Sequence, residues 1–405
     1  MNVLMISDVA VPRVNGVSTA ISTYIDRLDA HGVRVSLIAP RYGNEPDGAR
    51  VTRLAGWKVP FDPEDRLVPL SKMRTAALVA AKEADLVHIH TPFSAHFAGV
   101  ATARQYGIPV IATYHTLFEE YLQHYARFLP ASAVRALARS ISRMQCNALT
   151  ATIVPSNAMA ERLRAYRVTT PMHVLPTGVS CERFVSPDRA ASRARFRARH
   201  GIPDGVPLAL FVGRVAHEKN IGFLIDALVH AHAREPGLIL LIAGEGPAAA
   251  SLRERALASG CADRIRFLGY LDRGSELPDC YAAADIFVFS SRTETQGLVL
   301  IEAMASGLPV VALAEMGTRD LLETRRGAVV PPDDTAAFGA AMAQLATDVE
   351  LRRRLGDEAR ALASDWSDVT LTMKLAALYR SIASAYRRKP GRIPADPEPR
   401  NAHGE

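Results

Sequence analysis

Ten short apolar runs punctuate this chain and fall in two series of five. In the first half they are Val3 to Ile6, Val33 to Ala39, Leu86 to Ile89, Val110 to Thr113 and Ala151 to Val154; in the second they are Leu208 to Val212, Ile239 to Ala243, Ile265 to Leu268, Ile286 to Phe289 and Val310 to Ala312. Runs of this length read as strands buried on both faces. Helical patterns such as Val17 to Leu28 and Ser94 to Gln105 lie between them. Strand–helix alternation of this kind predicts the α/β class with two doubly wound parallel sheets.

A chain of 405 residues exceeds one ordinary core, which agrees with two series. The boundary falls near Pro176 to Pro187, giving a first domain over 1–180 and a second over 181–365. A further helical stretch, 366–388, is placed to cross back to the first domain. The proline-rich segment 389–405 has almost no apolar residues and is expected to be a disordered tail. The stretch between Pro40 and Leu70 reads as a loop without an acceptor signature.

Composition narrows the partners. Hydrophobic residues at 48% and charged ones at 22% suit a soluble globular protein. No apolar run reaches the roughly 18–20 residues that span a bilayer. The first residues read as a strand rather than a signal peptide, and Cys146, Cys181, Cys261 and Cys280 lack metal or disulfide spacing, so a cytoplasmic location is expected. A net charge of +6, carried mostly by arginine, favours anionic partners such as nucleoside diphosphates or anionic lipid surfaces. No nucleic-acid motif accompanies it.

The polar residues beyond the strand ends carry the chemistry, since open α/β sheets bind ligands there. In Thr293-Glu294-Thr295-Gln296-Gly297-Leu298-Val299-Leu300-Ile301-Glu302-Ala303, two carboxylates stand eight residues apart, with Gly297 where a helix begins near Leu298. Carboxylates grip sugar hydroxyls, and a helix N-terminus offers amides to phosphate. The ordinary reading is two surface carboxylates, but Glu302 has apolar neighbours, where an unpaired charge is costly. Gly213, Arg214 and Lys219 follow another strand and suit a departing diphosphate; the ordinary reading is a surface ion pair with Glu218. Lys219 is the only lysine between Lys82 and Lys374. Gly244-Glu245-Gly246-Pro247 ends a strand, with Pro247 suited to a first helical position. Gly16, in the first strand–helix loop, allows backbone amides to reach phosphate or is a simple turn glycine.

His115 lies just past a strand and can bond a sugar or acceptor hydroxyl. His88 and His90 alternate along one strand, and one of them reads as a satisfied core residue. No carboxylate stands in metal-ligand spacing with these histidines. Arg135, Arg139 and Arg143 repeat every four residues beside Val134, Leu137, Ile141 and Met144, a basic amphipathic helix that suits an anionic membrane or simply packs on the sheet. Tyr121 and Tyr125 precede it in an aromatic-rich stretch suited to an acceptor or lipid groove.

Taken together, Glu294 and Glu302 in E-x7-E spacing, with Gly213-Arg214 through Lys219-Asn220, resemble retaining glycosyltransferases of the GT-B fold, family four or group one. The resemblance covers most of residues 1–380. It implies two Rossmann-like domains facing a central cleft, with Glu294 on donor-sugar hydroxyls and Glu302 on the nucleotide ribose. It further implies Arg214 and Lys219 on phosphate, Gly16 as the N-terminal loop glycine and His115 as the active-site histidine. The catalytic set is then His115, Arg214, Lys219 and Glu294. The donor set is Gly16, Gly213, Gly244, Thr295, Gln296, Gly297, Leu298 and Glu302. The acceptor or membrane set is Tyr121, Tyr125, Arg135, Arg139 and Arg143. No metal or cofactor is implied, the nucleoside-diphosphate sugar being a co-substrate.

The Pro12-to-Val17, Thr113-to-Thr116 and Thr293-to-Leu298 segments are similar to bacterial enzymes that glycosylate diacylglycerol or related lipids. Thr295-Gln296 departs from the Gly-Phe or Ser-Phe common in the family. The expected activity is hexosyl transfer, UDP-sugar ahead of GDP-sugar, to a hydroxyl of a membrane lipid such as diacylglycerol or a glycolipid. That activity places the protein in the cytoplasm, peripheral on the inner face of the membrane. Open alternatives are a soluble or polysaccharide acceptor and a noncatalytic sugar-nucleotide-binding regulator. A dinucleotide-dependent oxidoreductase would want a Gly-rich fingerprint in the first βα turn, and the chain has none. Sequence assigns no oligomeric state.

Overall fold

The computed structural model describes residues 1–13, 15–45, 48–59, 62–115 and 130–387. The chain forms two compact units. One comprises 1–155, 160–175 and the chain from Thr372 onward; the other comprises 156–159 and 176–371.

The first unit is built on a seven-stranded parallel sheet. Its strands are β1 (Asn2–Ile6), β2 (Arg34–Arg41), β3 (Val51–Ala55), β6 (Leu86–Ile89), β7 (Val110–Thr113), β8 (Ala151–Val154) and β9 (Met172–Val174), in the order β3-β2-β1-β6-β7-β8-β9. Two strands stand outside it: β4 (Trp57–Val59) and β5 (Asp62–Leu67) form an antiparallel hairpin. Met5 pairs with Leu37 on one side and His88 on the other, so β1 lies where the strand order reverses. Every residue of β6 and β8 is buried. That explains runs without polar alternation, because both faces of a doubly wound sheet are covered by helices.

The second unit repeats the plan with six parallel strands: β10 (Leu208–Val212), β11 (Ile239–Ala243), β12 (Ile265–Gly269), β13 (Ile286–Phe289), β14 (Val310–Ala312) and β15 (Ala328–Val329), in the order β12-β11-β10-β13-β14-β15. Leu210 pairs with Leu241 and Phe287, placing β10 at the reversal. Stacked rings of Phe211, Phe287 and Phe289 lie at the centre of its core. At the carboxyl ends of β10 and β11 the backbones touch. A Cβ on Gly244 would lie 1.9 Å from the Gly213 carbonyl oxygen, and Gly244 holds φ at +138°, so both space and conformation demand glycine.

All ten apolar runs are strands, and both sheets are doubly wound and Rossmann-like. The Pro40-to-Leu70 stretch is more structured than a loop, since it carries β3 and the hairpin β4–β5. Edge strands β9 and β15 also escape the pattern, with three and two residues respectively. The C-terminal helix runs Asp368–Arg387. In the first unit its fully buried Tyr379 bonds His88 Nδ1 at 2.6 Å, while His88 Nε2 bonds Thr113 Oγ1 at 2.7 Å. His88 is therefore the satisfied core histidine of the strand pair.

Candidate functional site

In the second unit the polar residues converge at the carboxyl ends of β10 and β13. After β10 the chain makes a short 3-10 turn, His217–Lys219, and Asn220 adopts a left-handed conformation with φ at 55°. Asn220 Nδ2 donates to the Ser290 carbonyl at 3.2 Å, and the hydroxyls of Ser290 and Ser291 donate back to the carbonyls of Asn220 and Glu218 at 3.0 and 3.2 Å. These bonds pin the turn to the end of β13 and set Lys219 Nζ in an ion pair with Glu294 Oε1. The partner of Lys219 is thus Glu294, 75 residues away, rather than its neighbour Glu218. Arg214 is exposed and has no ion-pair partner among the described residues.

Glu294, Thr295 and Gly297 bridge β13 to the helix Leu298–Ala305. Gly297 takes φ of +84° at the helix N-cap, and the first turn holds no acidic side chain. The amides of that turn carry the positive end of the helix dipole. Gln296 is held by backbone: its buried side-chain amide accepts from the Thr177 amide at 2.8 Å and donates to the Thr177 carbonyl at 2.6 Å. Its side chain is committed to backbone. Pro247 is not the first helical residue, since the helix there starts at Ala249.

Glu302, in the second turn, is 2% exposed. Its charge is compensated by two residues that the sequence did not single out. Oε1 pairs with Arg273, in the loop beyond β12, and Oε2 accepts from the Tyr281 hydroxyl at 2.9 Å. Burial, then the Glu302 charge, drives the Tyr281 phenol well above its ordinary value, so it stays a donor. Neither partner carries a local signal, since they lie 29 and 21 residues before Glu302.

The first unit contains a largely apolar cavity of about 150 Å³ at the carboxyl ends of β1, β6 and β7. Phe93, Val17, Leu149 and Cys146 supply apolar walls, with His90, His96 and His115 at polar points. His90 Nδ1 and His115 Nε2 are hydrogen-bonded at 3.1 Å with their rings stacked. The buried His90 Nε2 has no partner among the described residues. Burial lowers both His96 and His115 to about 4, Arg104 adding to the effect at His96, so the imidazoles are neutral at physiological pH. Gly16 opens the helix Gly16–Leu28, and a Cβ there would meet nothing within 4 Å. Asn15 caps that helix through Ser18 and also lines the cavity.

A residue not anticipated from sequence is Asp8, buried at the end of β1. It accepts from Thr91 Oγ1 at 2.7 Å and the Ala95 amide at 3.2 Å, and burial raises it to about 6.

The helix Ala131–Asn147 forms one wall of the cavity through Ser142, Gln145 and Cys146. Its other side carries Arg135, Arg139 and Arg143, all exposed, with Arg139 stacked on the Tyr166 ring at 5.6 Å. The expected apolar stripe divides. Val134 packs inward, whereas Leu137 and Met144 are 53% and 57% exposed. Tyr121 and Tyr125 lie outside the described residues. Among the described residues no group of three or more His, Cys, Asp or Glu could hold a metal ion, and no helix is long and apolar enough to cross a membrane.

Residues 192–362 match the family model described as Glycosyl transferases group 1, and residues 14–183 match Glycosyltransferase Family 4. An alpha-monoglucosyldiacylglycerol synthase of Streptococcus pneumoniae is 31% identical over 77% of this chain and 71% of its own length. A GDP-mannose-dependent alpha-mannosyltransferase of Mycolicibacterium smegmatis is 31% identical over 90% of this chain and 94% of its own. Among solved structures, the Anabaena protein Alr3699/HepE in complex with UDP superposes with a TM-score of 0.75 over 94% of this chain and all of its own, at 18% identity, a likeness of fold.

Proposed function

The chain belongs to the family 4, group 1 glycosyltransferases, and from that premise we propose that it transfers a hexose from UDP-sugar to a hydroxyl of an amphiphilic membrane lipid, with retained anomeric configuration. The lipid reading is carried by one observation: the helix that walls the apolar cavity also exposes Arg135, Arg143, Leu137 and Met144. An apolar cavity suits the greasy part of an acceptor, and a basic, half-apolar surface suits an anionic bilayer. The diacylglycerol-glucosylating relative supports the same class of acceptor. The mannosyltransferase relative keeps GDP-mannose as the second donor to test.

In this reading Arg214, Lys219 and the amides at the start of Leu298–Ala305 stabilise charge on the leaving diphosphate, as preorganised donors do. Glu294, held by Lys219, orients the sugar hydroxyls, and Glu302 takes the ribose. His115, neutral and fixed by His90, bonds the incoming hydroxyl or the sugar. The bond from the anomeric carbon to the phosphate oxygen breaks as the acceptor oxygen bonds that carbon on the same face. The acceptor proton passes to the departing phosphate, so no enzyme nucleophile is needed.

The test is to incubate purified protein with radiolabelled UDP-glucose, UDP-galactose or GDP-mannose and with diacylglycerol in anionic vesicles. Label in the organic phase with a UDP-sugar is the expected result. Label that enters only water-soluble acceptors would overturn the lipid assignment, and turnover with GDP-mannose alone would overturn the donor assignment.

A further inference from the structure

We propose that Arg273 and Tyr281 are positioning residues of the donor site, holding the buried Glu302 carboxylate charged and oriented for the ribose of a nucleoside diphosphate. The inference rests on the donor-site reading of Glu302 given above.

A carboxylate with a side chain only 3% exposed needs compensation, because burying an unpaired charge is costly and removing one partner of a buried pair strands the other. The two partners divide that task. Tyr281, fully buried, fixes one oxygen from the core side. Arg273 supplies the opposite charge at the other oxygen from a side chain 36% exposed, reaching inward from the loop beyond β12.

That loop is built to keep Arg273 in place. Asp272 Oδ1 accepts from the amides of Gly274 and Ser275 at 3.0 and 2.9 Å and from the Ser275 hydroxyl at 2.7 Å, a closed turn around the arginine. The Asp272 amide donates to Glu276 at 3.1 Å, which ties the turn to the helix Glu276–Ala283 that carries Tyr281. Both partners of Glu302 therefore ride on one small unit of structure. Each carboxylate oxygen has two acceptor positions, so one per oxygen is left for ribose hydroxyls after Arg273 and Tyr281 have bonded. Arg273 thus acts through Glu302 rather than on the nucleotide, which gives the idea a sharp consequence.

The test is a double-mutant cycle read by calorimetric binding of UDP and GDP and by donor KM and kcat. Arg273→Ala should weaken binding of the favoured nucleotide and raise donor KM about tenfold, the scale of one charge-assisted hydrogen bond, with kcat changed far less. Arg273→Lys should recover most of that loss. In a Glu302→Gln background the same Arg273→Ala change should cost under about threefold, because its route of action is already gone. Tyr281→Phe should behave as a milder Arg273→Ala. If Arg273→Ala does not fold, Arg273→Gln carries the same cycle. Equal losses in both backgrounds would mean that Arg273 touches the nucleotide itself, and unchanged binding in Arg273→Ala would mean that Glu302 does not need it; either overturns the inference. Wild-type protein that binds neither nucleotide would instead overturn the donor-site reading and carry this inference down with it.

Discussion

Gln296 places both ends of its side-chain amide on the backbone of Thr177, 119 residues earlier, accepting at 2.8 Å and donating at 2.6 Å in a fully buried setting. A backbone amide and a carbonyl are satisfied at once by the paired acceptor and donor of one primary amide. Gln296→Leu should therefore lower stability by about 2–4 kcal/mol, the cost of orphaning two buried backbone groups. Chemical denaturation would register this as a lower midpoint; an unchanged midpoint would show that the bonds are dispensable.

Lys219 is the next position to test. Lys219→Met should lower kcat on the order of a hundredfold, as loss of a preorganised charge at a leaving group does, while donor KM moves little. Steady-state kinetics with the donor identified above would check it. A rise in KM alone would assign Lys219 to binding instead.

The cavity makes a separate prediction. Leu149→Trp fills its apolar wall and should raise acceptor KM at least about tenfold while leaving donor KM near wild type. Equal changes for both substrates would mean that the cavity is no acceptor site.

Vesicle binding tests the outer side of the same cavity wall. Changing Arg135, Arg139 and Arg143 together to Ser removes three positive charges, each worth about 1 kcal/mol at an anionic surface. Flotation with anionic vesicles should fall sharply and flotation with neutral vesicles should stay low. Identical flotation of variant and wild type would remove the membrane from the account.

Acid should destabilise the fold before carboxylates with ordinary values, about 4, begin to titrate. Burial holds His96 and His115 near 4 and drives His88 and His90 well down, whereas in the unfolded chain all four bind protons near 6.5. Above that value both states are neutral and nothing is gained. As pH falls through it, the unfolded chain takes up protons that the native protein refuses, costing up to about 1.4 kcal/mol per group for each pH unit. Asp8 opposes this, since its native value near 6 lies above the unfolded one and it gains stability on protonation. Four imidazoles outweigh one carboxyl, so Tm should fall between pH 7 and pH 5. A flat or rising Tm over that range would contradict the buried-histidine account.

How far sequence carries is clear from particular residues. The strands of both sheet centres are legible because burial on two faces leaves no room for polar positions, as in β6 and β8. β9 and β15 are too short to register, and the hairpin β4–β5 carries exposed Trp57, Lys58 and Leu67 instead of an apolar run. Among site residues, Glu294, Glu302, Lys219 and Arg214 stand out through spacing and through position after strands. Arg273 and the Thr177 contact of Gln296 are set by the path of the chain in three dimensions, and no local pattern encodes a partner 29 or 119 residues distant. The helix Ala131–Asn147 shows the same limit. Its arginine row is visible in the sequence, but which of its apolar residues face inward is decided by the sheet beneath.

Tyr379 and His88, 291 residues apart, share a buried hydrogen bond in the core of the first unit. On the ribosome this has a consequence for timing. His88 emerges early and remains without its phenol partner through synthesis of the whole second unit, because Tyr379 follows that unit in the chain. The first unit therefore cannot complete this buried bond until the second unit has been made.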